Sequence, residues 1–283
     1  MKRKNLTVCK ANKVIEAGYR LSLNEQRLIL ACVGQIDSTK SLSITDRFEL
    51  TAKDFSKLYG VIESKAYQTL KEIAEQLFER YVIIDNPDPD EPTLKYTKTR
   101  WVASIDYIPE KGKIVVYFAA RLLPYLSLLK GQFTQYKLEH ISKMTSIYAI
   151  RLYELLMQWQ NVGKREVELA WLRQQFELDE SYSRMNNFKA RVLDPAIKDI
   201  NTHSNYQVSW TQRKTGRNIT HLTFTFAEKQ SEKSKAIPKI KEKMRGGVKE
   251  SDIKKMAKVG ESWEEAAARI KAEKQVVNFN RRN

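Results

Sequence analysis

Apolar and polar positions along this chain fall twice into the same order: helix, strand, helix, helix, strands. The first pass opens at Ser22-Leu-Asn-Glu25, a capping box in which serine and glutamate satisfy the free amides of a helix start. Helical spacing then continues through Arg27, Leu28, Leu30, Ala31 and Val33. A polar loop from Asp37 to Ser43 leads to a short strand around Phe48 to Leu50. Thr51 is placed to cap a helix through Phe55 and Leu58 that stops at Gly60. The spacing predicts a further helix over 63–79, burying Ala66, Leu70, Ile73, Ala74 and Leu77. Strands are expected at 81–84, 95–107 and 113–118, and a helix over 119–129. Residues 1–20, polar and basic, read as an arm.

A second pass begins at Ser146-Ile-Tyr-Ala-Ile-Arg151-Leu152, which repeats the serine-to-arginine-leucine spacing of Ser22 to Leu28. Its helix runs to about Trp159 and ends at Val162-Gly163-Lys164. A strand over 166–169, a short helix over 171–176, a longer helix and a hairpin complete the set. The shared order predicts an α+β fold: tandem duplicated winged-helix domains at 21–132 and 133–228, with Tyr136 to Lys143 as the connector. A basic C-terminal tail over 229–283 follows.

The longer helix of the second pass carries the most informative pattern. From 184 to 200, Met185, Phe188, Val192, Leu193, Ala196, Ile197 and Ile200 share one arc of a regular helical wheel. Arg184, Asn187, Arg191 and Lys198 share the other. Arginine, asparagine and lysine are the residue types that read duplex DNA, with guanidinium on guanine, carboxamide on adenine and ammonium on phosphate. Lys189 falls inside the apolar arc, so it must snorkel out or the register must shift. Pro195 removes a helical hydrogen bond, which limits the expected DNA-facing part to Arg184–Arg191. About ten residues beyond the helix, Arg213, Lys214 and Arg217 surround Thr215-Gly216 between alternating strands. A helix followed by a basic hairpin tip is the winged-helix grip on a duplex. The plain alternative is a solvated polar face in a basic protein.

The first pass lacks such a face. Its 63–79 helix exposes Glu72, Glu75 and Glu79, which repel phosphate, so only Ser64, Lys65 and Gln68 in its first turn are candidates for DNA contact. Lys95, Lys98 and Arg100 give its hairpin positive charge. The expected division makes the second domain the main base reader, while the first adds backbone contacts or dimerises.

Composition agrees. The chain has 283 residues, a formal net charge of +16 and 42% hydrophobic content, enough for two cores and a polyanionic partner. Nucleic acid comes first and an anionic membrane surface second. No apolar run approaches the roughly 18 residues of a membrane span, and the basic start has no apolar segment behind it, so it does not read as a secretory signal. Cys9 and Cys32 make no disulfide framework, and Cys32 sits in an apolar helical run, which fits a reducing cytoplasm. His140, His203 and His221 never cluster, so no metal or other cofactor is expected. The acidic loop Asp85-Asn-Pro-Asp-Pro-Asp-Glu-Pro92 is too proline-rich for a spaced ligand set. In the tail, basic residues outnumber acidic ones. Lys233 to Arg245 reads as a flexible linker ending at Gly246-Gly247, and Ser262-Trp-Glu-Glu265 opens a helix to about Lys274.

These blocks resemble the theta-type plasmid replication initiators that bind iterons, the RepE- and RepB-like group. The likeness covers roughly residues 8–228. It rests on Phe133-Thr-Gln-Tyr136, on Ser146-Ile-Tyr-Ala-Ile-Arg-Leu-Tyr-Glu-Leu-Leu156, and on Ser181-Tyr-Ser-Arg184-Met followed by Ile200-Asn201. The wing ending in Thr220-His-Leu-Thr-Phe-Thr-Phe226 adds to it. The resemblance implies two winged helices on an iteron of about two turns of double-stranded DNA. It also implies a dimer that represses its own promoter and a monomer that opens an adjacent AT-rich region, with the host initiator DnaA and helicase DnaB as partners. Arg184 and Arg191 sit where such proteins place contacting arginines, while Ala190 stands where some carry another arginine.

A plain transcriptional repressor could use the same two domains. A rolling-circle nicking enzyme would need a His-x-His metal site beside a nucleophilic tyrosine, and no His-x-His occurs. A nucleotide-driven helicase would need a phosphate-cradling G-x4-G-K-[ST] loop, and none occurs. The expected protein is therefore not an enzyme.

Overall fold

The computed structural model describes residues 6–62, 65–85, 91–229, 244–245, 248–249, 256 and 261–280. Met1–Lys229 form one compact unit and Gln230–Asn283 a second.

In the first unit the chain begins with β1 (Thr7–Ala11) and the short helix α1 (Asn12–Ile15). The expected arm is therefore incorrect beyond residue 6. Val8, Val14, Ile15, Ala17 and Tyr19 are all buried, because the apolar residues interleaved with the lysines supply one strand and one turn of core. The partner of β1 is β7 (Phe133–Lys137), antiparallel, with Thr7 opposite Lys137 and Ala11 opposite Phe133. The expected connector over 136–143 thus begins inside a strand, which brings the ends of the first half together.

Between them lies α2 (Leu23–Val33), opened by the full capping box: Glu25 N–H donates to Ser22 Oγ at 3.3 Å and Ser22 N–H to the Glu25 carboxylate. Next come β2 (Phe48–Thr51), α3 (Ala52–Tyr59) and α4 (Ala66–Phe78). Thr51 caps α3 through Asp54 N–H at 3.0 Å, and α3 ends at Gly60 in the left-handed region, as its sequence requires. The hairpin of β3 (Tyr81–Asp85) and β4 (Tyr96–Arg100) follows α4.

The strand expected over 95–107 is two strands. Trp101, 1% exposed, plugs the core between β4 and β5 (Val102–Ile108). Beyond it, β5 leaves the β3 hairpin to pair with β6 (Lys113–Phe118), and β6 also pairs with β2, giving the order β2-β6-β5. The helix expected over 119–129 is a 3-10 segment, Ala120–Tyr125, with Pro124 inside it. Proline cannot donate the bond that an α-helix would need there.

The second half runs α5 (Ile147–Met157), β8 (Lys164–Glu168), α6 (Leu169–Gln175), a long helix from Met185 to His203, and the hairpin of β9 (Tyr206–Thr215) and β10 (Asn218–Glu228). Its sheet order, β8-β10-β9, places the first strand against the wing. Both halves are thus winged helices, although β5 and β6 replace the hairpin as the partner of β2 in the first.

One apolar cluster spans both halves, with α5 at its centre and residues 149–157 of that helix buried without exception. Charged groups inside it join the halves. Glu154, 0% exposed, accepts from Lys10 of β1 at 2.5 Å and from the Tyr136 hydroxyl of β7. Arg165 of β8 reaches Glu16 at 2.9 Å. The arginines of the repeated motif cross over: Arg27 of α2 donates to Met144 O at 3.0 Å, just ahead of α5. Arg151 of α5 donates to Ala17 O at 2.6 Å and Tyr19 O at 2.8 Å, just ahead of α2, and to Gln175 O at 2.5 Å. Its guanidinium also lies 3.8 Å from the Tyr19 ring centroid.

In the second unit, Met244–Arg245 pair antiparallel with Val248–Lys249, and a helix spans Trp263–Asn280, longer than the expected end near Lys274. Its start carries the expected capping box, with Glu265 N–H on Ser262 Oγ at 3.3 Å and Ser262 N–H on the Glu265 carboxylate at 2.9 Å. Most of the expected flexible linker lies outside the described residues.

The crossed arginines differ in burial, and their loss should differ in cost. Arg151→Met strands three buried carbonyls and should remove about 3–5 kcal/mol of stability. Arg27→Met, at a half-buried site with one carbonyl, should remove only about 1–2 kcal/mol. Urea unfolding of the two variants measures both, and equal losses would contradict the assignment of α5 as the hub.

Candidate nucleic-acid interface

The Met185–His203 helix of the second half is continuous through Pro195, with one irregular turn. Helix α7 (Met185–Phe188) passes into a π-helical turn over Lys189–Leu193 and then into α8 (Asp194–His203). Pro195 has no N–H for a normal α-helical bond, and the widened turn ahead of it absorbs the loss, closing through Asp194 N–H on Lys189 O. The proline neither splits the helix nor ends it.

This helix is anchored through the C-terminal half of α8. Asp199 accepts from the Thr145 and Ser146 amides at 2.8 Å each, fixing α8 to the start of α5. Asn201 exchanges two bonds with Val208, at 2.8 and 2.6 Å, which ties α8 to the first strand of the wing. Lys229 Nζ donates to the last carbonyls, Asn201 O and Ser204 O. Helix and wing are therefore tied together by direct hydrogen bonds.

Most of the cations singled out in the sequence are exposed here. Arg184 caps α7, and Arg191 and Lys198 project to solvent; none has a side-chain partner among the described residues. Lys189 is also exposed, its Nζ 5.7 Å from the Trp210 ring centroid, so the widened turn moves it off the apolar arc. Asn187 departs from expectation: it is half-buried, and its Nδ2 donates to Ser181 O at 3.0 Å, closing the turn before the helix. The exposed carboxamide is that of Asn186, without a partner among the described residues.

At the wing, Thr215 and Asn218 pair across a two-residue turn of Gly216 and Arg217. Gly216 takes φ +62 while Arg217 does not take a positive φ, the pattern of a II′ hairpin turn. Lys214 and Arg217 project from this tip without a partner among the described residues. Arg213 lies further down the strand and pairs with Glu166 at 2.9 Å, and Thr223 donates to the same carboxylate. Together they hold the Glu166 carboxyl below its usual range. Arg213 is therefore a sheet contact rather than a free tip cation.

The first half offers less. Glu72 and Glu75 on α4 and Glu79 at its C-cap are exposed as expected, and Gln68 is turned onto Glu72 at 2.8 Å. Lys65 is exposed at the head of that helix, while Ser64 lies outside the described residues. In the hairpin, Lys95 is exposed, and Lys98 Nζ sits 3.7 Å over the Tyr81 ring. Arg100 is bound to the end of α4 through Glu79 at 3.0 Å and Phe78 O. Among the described residues no cluster of three or more His, Cys, Asp or Glu could hold a metal, and no helix is long and apolar enough to cross a membrane. Burial pushes the Cys32 thiol up to about 12, which leaves it inert.

A family model described as initiator replication protein, WH1, matches residues 7–157, and one described as initiator Rep protein, WH2, matches residues 168–226. A replication initiation protein of Escherichia coli is 29% identical over 226 residues, covering 77% of this chain and 69% of that protein. An uncharacterized 27.6 kDa protein of Escherichia coli is 28% identical over 238 residues, 81% of this chain and 97% of that one. The crystal structure of the Pi initiator protein in complex with iteron DNA is similar in fold, with a TM-score of 0.68 at 23% identity. That match covers 81% of this chain and 100% of that one.

The wing turn yields a direct check of its geometry. At φ +62 a branched side chain is strained whatever the space around it, so Gly216→Val should cost roughly 1–2 kcal/mol in thermal or urea unfolding. Gly216→Asn should cost clearly less, since asparagine tolerates the left-handed region.

Proposed function

This chain belongs to the initiator replication protein family of plasmids, and from that premise we propose that it binds repeated duplex sites, iterons, at a plasmid origin. The observation that carries this reading is the set of cations that no carboxylate pairs with among the described residues, on one helix-and-wing piece: Arg184, Lys189, Arg191 and Lys198 on the helix, Lys214 and Arg217 on the wing. Cations that no carboxylate neutralises are free to displace the counterions of a phosphate backbone, and a helix of this size fits the major groove. The Pi initiator, similar in fold, was solved on iteron DNA.

On this reading the second winged helix reads bases and the first contributes backbone contacts through Lys65, Lys95 and Lys98. Arg213, Arg100 and Gln68, already engaged within the protein, contribute less. The bound protein opens the adjacent AT-rich DNA and recruits host DnaA and DnaB, and as a dimer it represses its own promoter. No catalytic step is assigned to it. A plain repressor would share the DNA contacts but would leave plasmid maintenance indifferent to its loss.

Selection of random duplexes on the purified full chain should enrich one site, found in tandem copies beside the gene for this protein. Enrichment of nothing, with tight binding to every duplex, would overturn the proposal. On the enriched site Arg191→Ala should cost about 1–3 kcal/mol, and less on random DNA. Arg217→Ala should weaken all duplexes alike and reduce the salt slope by about 0.9 per lost phosphate contact.

A further inference from the structure

We infer that Asn186 is a specificity-determining residue that reads the adenine of an A·T pair in the major groove, with Ala190 beside it on the same line of the helix. The inference rests on the DNA-binding reading above and deepens it.

On a regular helix each residue advances by about 100°. Carried without interruption from Met185 to Ile200, that advance puts Asn187, Arg191 and Lys198 opposite the apolar residues. The π turn over Lys189–Leu193 inserts one extra residue into the winding, so everything beyond it falls back by about 100° relative to a regular wheel. Val192, Ala196 and Ile200 then stack in line with Phe188, and all four are buried. The outermost line of the N-terminal part, opposite Phe188 and Val192, becomes Asn186 and Ala190, both exposed. Asn187 is displaced to the flank, half-buried, with its carboxamide spent on Ser181 O.

The side chains then sort by chemistry. An exposed carboxamide with both its oxygen and its amide free can bond adenine N6 and N7 together, the bidentate pairing asparagine makes with that base. One turn on, the Ala190 methyl leaves the carboxamide unobstructed and is itself suited to contact with a thymine methyl. Lys189, held toward the wing by Trp210, and Arg191 flank this line on either side. Lys189 lies where a groove wall carries phosphate, while Arg191 is placed to reach the neighbouring base pair. The expected footprint of the outermost line is thus an A·T pair between a backbone contact on one side and a second base contact on the other.

The test is equilibrium binding of the full chain to its enriched duplex and to every single base-pair substitution of it, with wild type, Asn186→Ala and Asn187→Ala compared. In wild type, one A·T pair should lose about 5- to 150-fold in affinity when changed to G·C. Asn186→Ala should lose a similar factor on the original duplex and bind the two duplexes equally, with discrimination kept at every other position. Asn186 is solvent-facing, so the variant should melt as wild type does. Unchanged discrimination in Asn186→Ala would overturn the inference, and so would a uniform loss at all positions. Collapse of one position in Asn187→Ala instead would assign the reading to the neighbour and overturn it equally. A wild-type protein with no preferred duplex would overturn the initiator reading along with this one. A preferred duplex whose profile Asn186→Ala leaves intact would overturn this one alone.

Discussion

Two arginines at equivalent places in a repeated motif hold this molecule together by reaching across to each other's half. Arg27 in the first copy grips the carbonyl just before the second copy's opening helix, and Arg151 in the second grips two carbonyls just before the first's. Neither is simply a salt bridge. Arg151 is 4% exposed and spends its charge on backbone oxygens and the Tyr19 face, and burial pulls its pKa down from the usual arginine range. A desolvated charge is costly unless its donors are used, and both terminal nitrogens of Arg151 are, although its Nε finds no partner, so the geometry around it is strongly specified. With Lys10–Glu154 and Arg165–Glu16 the crossing fixes α5 between the halves.

That fixation reaches the surface proposed to face DNA through a short chain of contacts. Asp199 caps α5 while sitting on α8, and Asn201 joins α8 to the wing. The Met185–His203 helix is thereby referenced to the hub, and the wing to the helix. A reader built on a rigid frame pays little ordering entropy on binding. The first half, referenced to the same α5 through β1 and β7, presents its few cations in a fixed relation to the second.

Much of this was legible in the sequence. The two capping serines, the Gly60 stop, the duplicated element order and the basic wing tip all follow from local rules, and the structure contains each. What failed did so for physical reasons. Residues 7–19 looked like a basic arm because their lysines mask a strand whose Val8 and Cys9 pack inward, and whose Lys10 is buried against a glutamate 144 residues away. No local pattern announces such a long-range pair. The single strand expected over 95–107 breaks at Trp101, where a change of pairing partner, not a change of propensity, sets the boundary. The exposed face of the helix differs in phase from the regular wheel, because the π turn ahead of Pro195 re-phases the winding. The proline was the signal, and Lys189 stranded in the apolar arc was its symptom. The engagement of Arg213 with Glu166 and of Gln68 with Glu72 depends on side chains brought together by the sheet and by one helical turn, and only the second of these was within reach of spacing.

Both winged helices acting as one rigid reader, with the second dominant, can be tested directly by a hydroxyl-radical footprint of the full chain on its enriched site. Protection should extend across about two helical turns, strongest where the Met185–His203 helix and its wing sit, with weaker protection confined to the backbone in the remainder. Protection limited to a single groove segment would contradict it, since the first half would then be absent from the DNA and the clamp around α5 would have no role in reading.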